Sequence, residues 1–94
     1  MDRKQQRELI ISLIKDNLIN TKLVLGLNNL GLNAGDYHLS LSNTILNVSG
    51  VTISDEKFEA YQDLFKQATE IDMDHPKQLN KTAEKIYKQI IKLK

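Results

Sequence analysis

Cysteine is absent from the 94 residues, so the chain has no disulfide, no thiolate metal ligand and no cysteine nucleophile. That composition suits a reducing compartment, and the cytoplasm is the expected location. Histidine occurs only twice, and no group of carboxylates accompanies it at a spacing suited to general acid–base work. An enzyme is therefore not expected, nor is a cofactor. Glycine is limited to four residues and proline to one, so helix breakers are few. Long apolar runs are also missing: nothing approaches the roughly 18 residues a membrane span needs. The opening "MDRKQQREL" is charged, and the apolar "LIISLI" after it is short, so no secretory leader is expected.

Charge is scarce in one place. Residues 1–22 carry five Lys or Arg against three acids, whereas residues 23–54 carry one formal charge, Asp36. Residues 55–75 then hold seven acids and two lysines, and residues 76–94 hold six lysines and one acid. The net charge of +1 thus conceals a neutral middle, an acidic stretch and a basic end.

What is present is rich in Leu, Ile, Lys and Asn, with few alternating β-branched runs. The pattern predicts an all-α fold, a compact bundle of four to five helices with short connections, in a single domain over 1–94. A chain of this size buries roughly 65% of the surface it exposes when unfolded. At 100° per residue the apolar positions divide into successive helices.

The first spans about 2–17. Its Leu9, Ile10, Ile11, Leu13, Ile14 and Leu18 occupy more than half the circumference, which calls for more than one neighbour. A stretch over about 21–30, with Leu23, Leu27 and Leu30 in a stripe, is either a second helix or a continuation weakened at Gly26. The next, about 34–49, places Tyr37, Leu41, Ile45 and Val48 on one side and Leu39 and Leu46 on the other. A helix over about 54–71 gathers Phe58, Ala60, Tyr61, Leu64, Phe65, Ala68 and Ile71. The last runs from Pro76, with Leu79, Ala83, Ile86, Tyr87, Ile90 and Leu93 facing one way and Lys81, Lys85, Lys88 and Lys92 the other. Pro76 suits a first helical turn, with Asp74 or His75 as cap. The short "IDMDHP" connection makes the last two helices expected antiparallel neighbours, their opposite charges attracting.

The stretch "LNNLGLNAGD" at 27–36 is glycine-rich, yet it lacks the spacing and the preceding strand of a phosphate loop. Leu27-x-x-Leu30-Gly31-Leu32 resembles the turn of a helix-turn-helix. The helix that follows offers Asn33, Asp36, His38, Ser40, Ser42 and Asn43 but no Arg or Lys, so it would neutralise no phosphate and offer guanine none of its usual partners. A helix stop accounts for more. With Leu30 as C-cap, Gly31 is C′ and Leu32 is C″, paired with Leu27 at C3. The arrangement recurs at "LNVSGVTISD", where Gly50 is C′, Val51 is C″ and Leu46 is C3. Asn33 and Thr52 follow as N-caps, with Asp36 and Asp55 at N3.

Asp72, Asp74 and His75 could hold a divalent ion, but a capped, solvated loop describes "DMDH" better. No Ser-His-Asp geometry can form from Ser40, His38 and Asp36 on one helix. The lysine row Lys81, Lys85, Lys88 and Lys92 is an anion-binding candidate; otherwise it is a solvated face pairing with the acidic helix. The uncharged helix over 34–49 is the remaining anomaly, since an exposed helix normally carries Lys or Glu outside. Depletion of charge fits an interface core. Leu39, Leu46, Ser42 and Asn43 are therefore the expected partner-binding residues of a small non-enzymatic, self-associating interaction protein, a homodimer or larger. The alternative is a nucleic-acid-associated regulator using the C-terminal lysines.

Overall fold

The computed structural model describes residues 2–29, 35–72 and 74–93, with side chains through residue 26 and from residue 41 onward within those spans. The fold is all-α. It comprises α1 (Arg3–Asn29), α2 (Gly35–Ser49), α3 (Asp55–Gln67), a single 3-10 turn (Ala68–Glu70) and α4 (Pro76–Ile91). Residues 3–29 form one helix, which resolves the question at Gly26: one exposed glycine lowers helix propensity without ending the helix.

At about 1.5 Å per residue α1 is about 40 Å long, close to the longest dimension of the molecule, 41 Å. The other helices dock on it, α2 and α4 most extensively, with α3 and the 3-10 turn also in contact. The wide apolar circumference read from the sequence is thus shared among several neighbours. Ile10, Ile14 and Leu18 of α1 meet Ile45 of α2, Tyr61 and Phe65 of α3, and Ala83, Ile86 and Ile90 of α4 in one core. The Tyr61 and Phe65 rings meet edge to face with centroids 5.3 Å apart. Gln6 Nε2 donates to the Val48 carbonyl at one end, and Asn17 pairs with Ser42 further along, so α1 and α2 run antiparallel. The main neighbour of α4 is α1 rather than the α3 that its short connection suggested, because α1 offers the widest apolar surface.

The stop at Gly50 forms as the sequence predicts. Gly50 is left-handed at φ 70°, the Gly50 N–H donates to the Asn47 carbonyl at 3.2 Å, and the Val51 N–H donates to the Leu46 carbonyl at 3.0 Å. These are the two bonds of a Schellman motif. Its expected twin at Gly31, with the caps Asn33 and Asp36, lies outside the described residues. The restart differs from expectation. Thr52 does not cap; Ser54 does, its Oγ accepting from the Lys57 N–H, which puts Asp55 and Glu56 in the first turn rather than Asp55 at N3. Val51 is buried and Ile53 half-buried, so residues 51–53 stay outside the helix and it starts later. At the other connection His75 caps α4 through Nδ1, which accepts from the Gln78 N–H, and Pro76 occupies the first turn.

Candidate interaction surface

The inner side of α2 is wider than the sequence suggested. Ile45, Leu46, Ser42 and Ser49 are all buried and occupy about 100° of the helix. Small hydroxyl residues allow this because each satisfies its polar atom internally. Ser49 Oγ donates to the Ile45 carbonyl one turn back, at 2.7 Å. Ser42 Oγ accepts from Asn17 Nδ2 at 3.1 Å and donates to Gln62 Oε1 at 2.8 Å, while its carbonyl accepts from the Tyr61 hydroxyl at 2.8 Å. Asn17, Ser42 and Gln62 thereby connect α1, α2 and α3 by polar bonds inside an apolar core, where such groups must be paired. Burial pushes the Tyr61 phenol well above the usual tyrosine range.

Two of the expected partner-binding residues are therefore placed inward. Leu46 is 6% exposed within the core cluster, and Ser42 is wholly buried. Neither is available to another molecule, because the face they share is covered by the chain's own helices. Asn43 is exposed. The side chain of Leu39 lies outside the described residues. The outer side of α2 is instead Asn43, Thr44 and Asn47, polar but uncharged, which accounts for the missing Lys and Glu.

Among the described residues the exposed apolar surface is on α1. Leu9 (37%), Ile19 (46%) and Leu23 (57%) are the exposed large hydrophobic residues among those described. With half-buried Leu13 they fall in a sector about 120° wide at 100° per residue. Between α1 and α2 a groove of about 460 Å³ opens here, lined by Leu13, Asp16, Ile19, Asn20 and Leu41. The sequence divided these residues differently, with Leu9 and Leu13 in the wide apolar face of the first helix, Leu23 in a stripe with Leu27 and Leu30, and Ile19 not singled out. Gln6 and Asn17, which bond to α2, bracket Leu9 and Leu13, so α2 runs beside the strip rather than over it.

The lysine row is outward as expected. Lys81, Lys85, Lys88 and Lys92 are all exposed, and Lys77 joins them. They do not pair with the acidic helix: among the described residues the ion pair is Arg7–Glu84, at 3.7 Å between α1 and α4. The Arg7 guanidinium also sits 5.5 Å from the centre of the Tyr87 ring. At "DMDH", Asp72 Oδ1 accepts from the Asp74 N–H and His75 caps α4, so both groups serve the turn. Among the described residues no three His, Cys, Asp or Glu gather as a metal site would require, and no helix is long and apolar enough to cross a membrane. No protein family, no curated protein and no solved structure matches the chain.

Proposed function

We propose that the protein is a non-enzymatic helical interaction module that self-associates through the outward apolar strip of α1. The observation that carries this is the register of that strip. Leu9 and Leu23 lie seven residues either side of Asp16, and Leu13 and Ile19 lie three either side of it. Two copies of α1 packed antiparallel about a two-fold axis at Asp16 would set Leu9 against Leu23 and Leu13 against Ile19, twice over. A two-fold interface requires that kind of self-complementarity. Neutral residues around the strip, such as Asn20 and Leu41 at the groove, match the depletion of charge found at interface cores. Asp16 is the one charge in the strip, and its approach to its own copy opposes the pairing.

Light scattering after gel filtration tests this. The protein is expected to elute as a dimer that dissociates on dilution. Leu23→Glu, at an exposed position, is expected to give a folded monomer, whereas Asp16→Asn should tighten the dimer by removing the like-charge contact. A strict monomer at high protein concentration would refute self-association. A dimer indifferent to both substitutions would place the interface elsewhere.

A further inference from the structure

The four lysines of α4 and Lys92 at its C-cap have no carboxylate partner among the described residues, and nothing in the self-association proposed above uses them. Lys77, Lys81, Lys85, Lys88 and Lys92 are all exposed. At 100° per residue they share a sector about 80° wide. From first to last they extend about 22 Å along the helix. Glu84, the one acid of α4, lies at the edge of that sector and is engaged by Arg7 of α1. The row therefore presents like charges with no local compensation. The chain's net charge is only +1, so any attraction it exerts belongs to this face rather than to the whole molecule.

We propose that this face of α4 lies along the phosphate backbone of duplex DNA and holds it without reading base sequence. The surroundings of the row favour duplex DNA over a membrane or a single strand. An anionic membrane recruits a basic helix whose opposite face enters the lipid, but Ala83, Ile86 and Ile90 of that face are buried in the core. Single strands are held by bases stacked on aromatic rings, and the row contains none; Tyr87 is turned to Arg7. Sequence readout relies on the planar donors of Arg against guanine, and the row is lysine throughout. What remains is neutralisation of phosphates by point charges. With about four contacts engaged, log affinity should fall with log salt at a slope of about −4, a loss on the order of 10²-fold between 50 and 200 mM.

The test is fluorescence anisotropy of two labelled 20-base-pair duplexes of unrelated sequence, titrated with the full chain across that salt range. Equal binding to both duplexes, with the steep salt loss, is expected. Lys81→Glu/Lys85→Glu/Lys88→Glu should abolish binding at 50 mM, while Lys57→Glu/Lys66→Glu, on α3, should leave it within about twofold. All five positions are exposed, and circular dichroism checks that each variant remains helical. Should the reversals disturb the fold, Lys81→Gln/Lys85→Gln/Lys88→Gln serves instead and should reduce the slope by about three. The Leu23→Glu monomer should still bind, so the two proposals fail separately. Absence of binding at 50 mM overturns the inference. So does equal loss in the α3 variant, or tighter binding to single strands, to poly-glutamate or to phosphatidylserine vesicles than to the duplex.

Discussion

Replacing Ser42 by alanine removes a single oxygen and two hydrogen bonds. Ser42 Oγ is fully buried and bridges Asn17 Nδ2 and Gln62 Oε1 at 3.1 and 2.8 Å. Each bond contributes about 0.5–1.5 kcal/mol net, and a buried polar atom that loses its partner adds a desolvation penalty. Gln62 is 7% exposed, so little water can reach Oε1 in compensation. Ser42→Ala should therefore destabilise by about 2–3 kcal/mol. A chain of this length has about 5–14 kcal/mol in total, so the loss is a substantial share. In urea, with a slope of about 1–1.5 kcal/mol per molar, the midpoint followed by circular dichroism should fall by about 2 M. The companion variant decides whether the polar bridge is the cause. Ser42→Ala/Gln62→Leu removes the acceptor as well as its donor, and should lie at least about 1 kcal/mol above the sum of the single changes. A Ser42→Ala loss below about 0.5 kcal/mol, or strict additivity, would refute the assignment of the bridge as a stabilising unit.

Gly26→Ala should stabilise by about 0.5–1 kcal/mol, because an added Cβ at this exposed helical position meets nothing within 4 Å; a lower urea midpoint would contradict that. Leu46→Ala should cost about 2–4 kcal/mol, since the side chain is 6% exposed in the core, and light scattering should find the oligomeric state of the folded fraction unchanged. Tyr61 ties stability to alkaline pH: its phenol ionises above the usual tyrosine range because it is buried, so the folded state favours the neutral form. That contribution is complete below the unfolded value of about 10 and is lost at up to about 1.4 kcal/mol per pH unit as pH rises beyond it. Urea midpoints of the native chain and Tyr61→Phe between pH 9 and 12 should converge as pH rises; parallel curves would refute the assignment.

The parts of this fold legible in the sequence are those governed by local rules. The apolar period of α4 is clean, and its Ala83, Ile86 and Ile90 are buried as the pattern predicts. The Gly50 stop depends only on the five residues around it, and both its bonds form. The polar bridge was illegible because Asn17, Ser42 and Gln62 belong to three helices, and each is an ordinary surface residue until the others arrive. The same blindness misplaced Leu46. A wheel that treats serine as outward divides the inner face of α2 into two sides, and the second then resembles an interface. On α1, the exposure of Leu23 depends on which sides of the helix its neighbours occupy, which no property of Leu23 reveals. The lysines were readable as a row, but their lack of partners became visible only once α4 docked on α1.

The meeting of α1 with α4, where Arg7 reaches both Glu84 and Tyr87, has a consequence during synthesis. Of these helices, α1 leaves the ribosome before the others, and it is the one on which they dock. Its surface for α4 stays uncovered until residues 76–91 have been made, several seconds later at about 5–20 residues per second. Through that interval the nascent chain carries Ile10 and Ile14 without their last cover. The polar run "DRKQQRE" ahead of them is then the nearest protection against association with neighbouring chains.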